Sequence, residues 1–501
     1  MSDTPAPVPD PLHCASLAAD LDAADFRSDP LRRLWGADAD DALARGIREP
    51  ILRAIADDHG ALATLGRLFV LGLPSPAGLV DEALPRLGTR GLVALGLATL
   101  DRGTVSPAAL LRPQSFVDAD GVGEWWIASD LDEVALGAAL PADHVLGVGG
   151  ASRTLAENIV PVRVERALDV GTGCGIQALL VARRAGTVVA TDISARALAY
   201  AELNARLNGV QNITFRQGSM FEPVAGEAFD LVVSNPPFVI TPRTDVVPAY
   251  EYRDGGLVGD ALVEQFIRAV PDHLTPGGVA QLLGNWESRG ALSGLQRLES
   301  WVREDLDAWA IERESLSPLA YAELWIRDGG TTPRDAGFSA LLSAWLDDFA
   351  DRGVTGVGFG YVLLRRLGEQ APVWRRFERL TQPVAEVGLA LLNGLAAHDV
   401  LREGLPDTLV VAGDVTEARH LLPGSDDPSV IELRQGGGFG RTVAVDPALA
   451  GFVGACDGEL SVFQIAAALA DLFEVPFDAL WEDLEPRIRS LVVDGFLTPA
   501  S

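Results

Sequence analysis

The sequence predicts an α/β protein: a Rossmann-like, seven-stranded, doubly wound sheet that is mainly parallel, with a winged-helix-like region on each side of it. Three observations carry this. Between residues 166 and 367, apolar strand-like runs alternate with helical ones, the pattern of parallel strands joined by crossover helices. The first of these runs, Ala167-Leu168-Asp169-Val170, enters a loop with glycine at alternate positions, and a helix follows. The 501 residues are 48% hydrophobic, which supplies several buried cores and excludes a mostly disordered chain.

Taken in order, residues 1–20 read as a flexible leader. They are acidic and proline-rich and lack the basic flank and apolar run of a signal peptide. Residues 21–140 form an N-terminal helical, winged-helix-like domain. Pro50 stands early in one helix, and 65–71, 77–87 and 91–100 are short apolar segments at helical spacing. Glu124-Trp125-Trp126-Ile127 then reads as a strand. Residues 141–370 hold the sheet, with strands at 167–170, 187–192, 213–217, 229–234, 279–283, 307–313 and 355–367. Residues 371–501 form an acidic C-terminal domain, again winged-helix-like, with helices near 447–455, 462–472 and 484–494. Over 401–501 there are 6 Arg against 17 acidic residues, which favours protein interaction over DNA reading for this region.

Charge and cysteine usage narrow the function classes. Acidic residues number 70 and basic residues 40, a net charge of −30. That opposes a surface built to coat nucleic-acid phosphate. All 40 basic residues are arginine. Cys14, Cys174 and Cys456 lie far apart, and neither they nor the six histidines have metal-ligand spacing. No apolar run is long enough to span a bilayer. The expectation is a cytoplasmic protein without metal or membrane.

Three motifs carry chemistry. The run Asp169-Val170-Gly171-Thr172-Gly173-Cys174-Gly175 places glycine where the backbone must turn and a ligand must approach it. Asp192 ends the next strand, 23 residues after Asp169, and is followed by Ile193. An acid at that position suits the two hydroxyls of a ribose. Asn235-Pro236-Pro237-Phe238 follows the strand at 229–234. Its prolines fix the backbone, its Asn offers an acceptor and two donors, and its aromatic ring offers a flat face. The glycine-rich stretch 436–440 has no helix after it and reads as a hairpin turn. Residues 148–154 precede the first strand and could close over one end of a bound ligand.

On these residues the chain resembles class I S-adenosyl-L-methionine-dependent methyltransferases of the "methyltransferase small" group. The resemblance implies a cofactor loop at 169–175, a ribose acid at Asp192 with Ile193 beside it, and an adenine-flanking segment at Ser219 and Met220. Many relatives have an acid where Ser219 stands. It also implies a catalytic Asn235, Pro236, Pro237, Phe238 set, with Asn235 adjoining the cofactor. The run 235–242, Asp254-Gly255-Gly256 and 270–278 resemble the glutamine N5-methyltransferases of translation release factors. Those usually carry Tyr where Phe238 stands; relatives acting on RNA bases can carry Phe. The function implied first is methyl transfer to a glutamine amide of a protein, a release factor for example. Methylation of an exocyclic amino group of an RNA or DNA base stays open. So does a non-catalytic protein that binds S-adenosylmethionine.

Overall fold

The computed structural model describes residues 6–118, 121–137, 140–244, 247, 253–368 and 373–500. By contacts the chain divides into two compact units, residues 1–156 with 163–379, and residues 157–162 with 380–501. The expected domain boundary at 370/371 lies outside the described residues.

The first unit is organised by one sheet. Its strands are β1 (Val164–Val170), β2 (Ala185–Asp192), β3 (Ile213–Gln217), β4 (Phe229–Ser234), β5 (Leu274–Arg289), β6 (Leu306–Leu316), β7 (Val354–Arg366) and β8 (Arg375–Arg379). The spatial order is β8-β6-β7-β5-β4-β1-β2-β3. Strands β1 to β5 pair in parallel, and β7 runs antiparallel to both β5 and β6. The order reverses at β1, next to β4. In an open α/β sheet such a switch point is where a ligand crevice opens, beyond the carboxyl ends of the strands. β1 and β4, which meet there, carry the glycine loop and the Asn-Pro-Pro-Phe segment at their carboxyl ends.

The sheet has eight strands, where the sequence suggests seven. β8 pairs in parallel with β6. Its residues, Arg375-Arg376-Phe377-Glu378-Arg379, have no apolar run to announce a strand. It is held through charge: Arg379 pairs with Glu312, Trp309 Nε1 donates to Glu378 at 2.8 Å, and the Arg376 guanidinium lies 5.4 Å over the Trp309 ring.

The leader expected at 1–20 is a helix from Pro11 to Ala23. Its first five residues lie outside the described residues. Asp10 caps the helix by accepting from His13 N at 2.8 Å, Pro11 stands in the first turn, and Cys14, Leu17 and Leu21 are buried. The leader is therefore part of the core. One hydrophobic cluster runs from these residues through Phe26, Phe69 and Trp126 to Leu179, Tyr200 and Leu203 on the helices beside the sheet.

The expected helix at 91–100 ends at Ala94. Gly96 (φ +75°) stops it, and Ala98–Asp101 forms a hairpin with Thr104–Pro107 through a turn at Gly103 (φ +82°). With Ser75–Pro76 as a third strand and the helices Ala77–Ala83 and Gly88–Ala94 between, the element order is strand, helix, helix, hairpin.

The second unit has helices Val387–Glu403, Pro447–Gly454, Val462–Leu472 and Phe477–Val493. A small sheet orders Asp457–Ser461, Thr408–Val411 and Leu497–Pro499. Its middle strand comes from upstream of the last three helices, so no wing hairpin follows the final helix. A second sheet contains the hairpin Pro428–Gln435 with Thr442–Val445, and the glycines at 436–440 form its turn. Among the described residues, no helix is long and apolar enough to cross a membrane.

Candidate active site at the carboxyl ends of the central strands

The glycine loop leaves β1 with Gly171, Gly173 and Gly175 at φ +73°, +55° and +88°. This is the left-handed region, where a side chain is disfavoured. Their surroundings differ. A Cβ on Gly175 would sit 3.0 Å from Ala201 Cα, so this glycine lets the loop pack on the helix Ala195–Leu207. A Cβ on Gly171 or Gly173 would meet nothing within 4 Å. Those two glycines leave open space beside the backbone.

Asp169 anchors the loop. It is buried, and its Oδ2 accepts from Thr172 Oγ1 at 2.7 Å and from Ala178 N at 3.0 Å. Burial pushes its carboxyl up to about 7 against these two hydrogen bonds. Asp192 grips the same loop. Its Oδ2 accepts from Gly173 N and its Oδ1 from Ser194 N, each at 2.9 Å. Burial raises this carboxyl, and the backbone donors oppose the shift. Each oxygen keeps lone-pair capacity for a further donor. Ile193 is 65% exposed beside it. Met220 has φ +49°, rare for a side chain of its size, and Ser219 N donates to Glu222 at 3.4 Å. Cys174 is buried, its thiol pushed up to about 11 by desolvation, so it offers no thiolate.

Asn235 ends β4. Ser234 beneath it donates through Oγ to Val170 O at 2.8 Å, tying β4 to β1 at the switch point. Asn235 Nδ2 donates to Ser152 Oγ at 3.3 Å. Its Oδ1 is buried and has no hydrogen-bond partner among the described residues. Pro236 is buried; Pro237 and Phe238 are half-buried. The Phe238 ring packs 5.5 Å from Phe359. Phe238 also bridges to Asp254, and Pro237, Phe238, Gly255, Leu257, Leu262 and Val263 line a small hollow.

Three supports were not singled out from sequence. Gln177 Nε2 donates to Ser152 O at 2.7 Å, while its Oε1 is buried and without a partner among the described residues. A polar residue in the apolar run Ile176-Gln177-Ala178-Leu179 was the signal available. Ser152 lies on the helix Gly150–Asn158 and meets both Asn235 and Gln177. Tyr321 Oη accepts from Ile240 N at 3.0 Å and from Asn285 Nδ2 at 2.6 Å, fixing the segment after Phe238. No spacing links Tyr321 to that segment, so sequence could not find it.

The donor set fits S-adenosylmethionine. Two open glycines, an acid at the end of β2 and an unpartnered buried acceptor at Asn235 lie on the loops that meet at the switch point.

Comparison with known proteins agrees with this geometry. Residues 147–291 match the model of the methyltransferase small domain, and residues 23–108 match a domain of unknown function, DUF7059. The chain is 37% identical over 156 residues to the release factor glutamine methyltransferase of Xylella fastidiosa, covering 28% of this chain and 56% of that protein. It is 35% identical over 146 residues to the ribosomal protein uL3 glutamine methyltransferase of Bradyrhizobium diazoefficiens, covering 27% and 45%. The chain thus spans about half the length of these relatives. The solved structure of YcgJ from Bacillus subtilis aligns over 44% of this chain and 98% of its own, at 15% identity and a TM-score of 0.30; the fold reading rests on strand order instead. The family match gives this chain a methyltransferase small domain over residues 147–291, and the glycine loop and the sheet order of residues 164–379 are those of the class I methyltransferase fold.

Proposed function

We propose that the protein is an S-adenosylmethionine-dependent N-methyltransferase whose acceptor is the side-chain amide of a glutamine in a protein. The observation that carries this is Asn235 Oδ1: buried, without a partner among the described residues, and at the end of β4 beside the glycine loop. An unpaired buried acceptor is costly to fold around. It is accounted for if a substrate N–H completes it.

The cofactor would be held by Gly171, Gly173 and the loop around them, by the Asp192 carboxylate at the ribose, and by Ile193, Ser219 and Met220 around the base. When bound, it supplies a methyl already activated on a sulfonium. The protein's task is then orientation. Asn235 Oδ1 and the Pro236 carbonyl accept the N–H bonds of the target amide and point its nitrogen at the methyl. The same acceptors are strengthened as positive charge grows on nitrogen, and the nitrogen gives up one of its protons to solvent once the methyl is attached. Phe238 supplies the flat face on which the planar amide rests. Cys174 and the buried Asp169 take no part in the transfer.

The named activities of the release-factor and uL3 relatives support a protein of translation as the substrate class. The ring of Phe238 would serve a nucleobase equally well, but a net charge of −30 opposes a polynucleotide. The test is methyl-tritiated S-adenosylmethionine with cell extract, followed by separate protease and nuclease treatment and by mass spectrometry of the labelled product. N5-methylglutamine in a protease-sensitive product is expected. Label that only nuclease releases would refute the glutamine reading.

A further inference from the structure

The second unit carries a surface that the proposed chemistry does not use. On the helices Val462–Leu472 and Phe477–Val493, large apolar side chains face outward. Leu472 is 73% exposed and Phe463 54%, and Leu460, Phe473 and Val475 are exposed with them. At the helix starts these residues form an aromatic platform. The Trp481 ring lies 4.6 Å from Phe463 and stacks nearly parallel to Phe477 at 6.1 Å. Buried residues of the same helices, Val462, Ile465, Leu484 and Ile488, already serve the core of this unit. Trp481 also packs against that core, while the exposed Phe463 and Leu472 are additional to it. The part whose rings meet is Phe463, Trp481 and Phe477, and an exposed apolar group of this kind marks an interaction site on a soluble protein.

The charge around it selects the partner. Between Arg441 and Arg487 the chain has no basic residue and nine acidic ones: Asp446, Asp457, Glu459, Asp471, Glu474, Asp478, Glu482, Asp483 and Glu485. Eight of these lie in the same 457–485 stretch as the apolar set. Asp446 and Asp483 pair with Arg487, and Glu485 with Arg489; the acidic excess of the other six repels nucleic acid, anionic membrane and a second copy of the same face, and it attracts cations. Aromatic residues at the centre supply the desolvated contact that a charged rim alone does not.

We propose that this face of residues 457–485 docks a basic protein segment that inserts one or two large apolar side chains onto the Phe463–Trp481–Phe477 platform. The proposal is independent of the methyl-transfer reading, because it concerns binding alone.

The test uses the full-length protein and two synthetic 20-residue amphipathic helices. Both carry Leu and Phe on one face; one has Arg and Lys on the other face, and its counterpart has Glu. By calorimetry the cationic peptide should bind at least about tenfold more tightly than the anionic one, and more weakly as salt rises. The variant Phe463→Ser with Leu472→Ser alters only exposed positions. It should keep the thermal unfolding transition and lose binding about tenfold or more, while Phe463→Leu should retain most of it. Equal binding of the two peptides would overturn the proposal. So would unchanged binding by the double-serine variant, since attraction would then be charge alone. Sedimentation showing a dimer that the double-serine variant abolishes would assign the patch to a second copy, and displacement of the cationic peptide from the patch by an RNA oligonucleotide would equally sink it.

Discussion

Asn235→Ala separates chemistry from folding in a way the geometry makes quantitative. Among the described residues the Asn235 side chain makes one hydrogen bond, from Nδ2 to Ser152 Oγ at 3.3 Å. That is long for its kind, and its net worth is about 1 kcal/mol at most. Its Oδ1 is buried without a partner among the described residues, and an unpaired buried acceptor costs about 1–3 kcal/mol. Truncation removes both together, so the melting temperature should stay close to wild type or rise slightly. Cofactor affinity should change little, because Gly171, Gly173 and Asp192 lie outside the truncation. Methyl transfer should fall by about 10²–10³-fold, the effect of deleting one preorganised transition-state partner. The assay is single-turnover transfer to a glutamine-containing acceptor, with calorimetric titration of S-adenosylmethionine and a thermal melt run in parallel. Transfer near the wild-type rate would refute the role of Asn235 and favour a protein that binds the cofactor without using it. A melting temperature lowered by ten degrees or more would show that Asn235 is structural.

The two kinds of loop glycine should come apart under substitution. Gly175→Ala puts a Cβ 3.0 Å from Ala201 at φ +88° and should lower unfolding stability by about 1–3 kcal/mol in urea titration. Gly173→Ala meets no protein atom within 4 Å; it should melt near wild type and yet bind S-adenosylmethionine at least about tenfold more weakly by calorimetry. Asp192→Asn turns an amide donor toward the N–H of Gly173 or Ser194, and calorimetry should show affinity reduced by about tenfold or more. Asp169 is held up at about 7 when folded and titrates near 3.9 when unfolded; its contribution is thus complete below pH 4 and lost as pH rises toward 7, so Asp169→Asn should flatten that part of the stability–pH curve in urea melts at pH 4.5, 5.5 and 7. Deleting residues 1–140 should leave an insoluble or non-cooperative chain by circular dichroism, because Leu179, Tyr200 and Leu203 share their core with Leu17, Phe26 and Trp126.

What sequence conveyed depended on whether the cause was local. The strand–glycine–helix run at 167–182 and the acid at 192 are dictated by backbone geometry within a few residues, and both stand where their pattern places them. The Asn-Pro-Pro-Phe segment was legible because two prolines at a strand end permit few conformations. Contributions made across the fold were not legible. Strand β8 is charged and short, and pairs through side chains of β6 far upstream. Ser152 and Gln177 meet 25 residues apart, and Tyr321 reaches Ile240 across 81 residues. The helix Pro11–Ala23 was misread because proline-rich composition was weighed above the Asp10 cap and the buried spacing of Cys14, Leu17 and Leu21.

The N-terminal region is fastened to the glycine loop itself. Asn204, fully buried on the helix Ala195–Leu207, accepts from Ala128 N at 2.8 Å and donates both to Ala128 O at 2.9 Å and to Cys174 O at 2.8 Å. One side chain thereby joins the strand at Gly121–Ser129 to the middle of the glycine loop. Two residues later in that region, buried Asp130 accepts from Tyr200 Oη at 2.8 Å, from Arg196 Nε at 2.8 Å and from Val145 N at 2.9 Å. An Asn amide placed this way satisfies a strand edge and a loop carbonyl at once, so neither can shift without leaving a buried polar group unpaired. The glycine loop is thus held by Asp192 at Gly173 and, through Asn204, by the N-terminal strand at Cys174. Substitutions at Ala128 or Asp130, remote from any ligand contact, should therefore alter cofactor affinity through the position of Cys174, which makes this flank part of the site's rigidity.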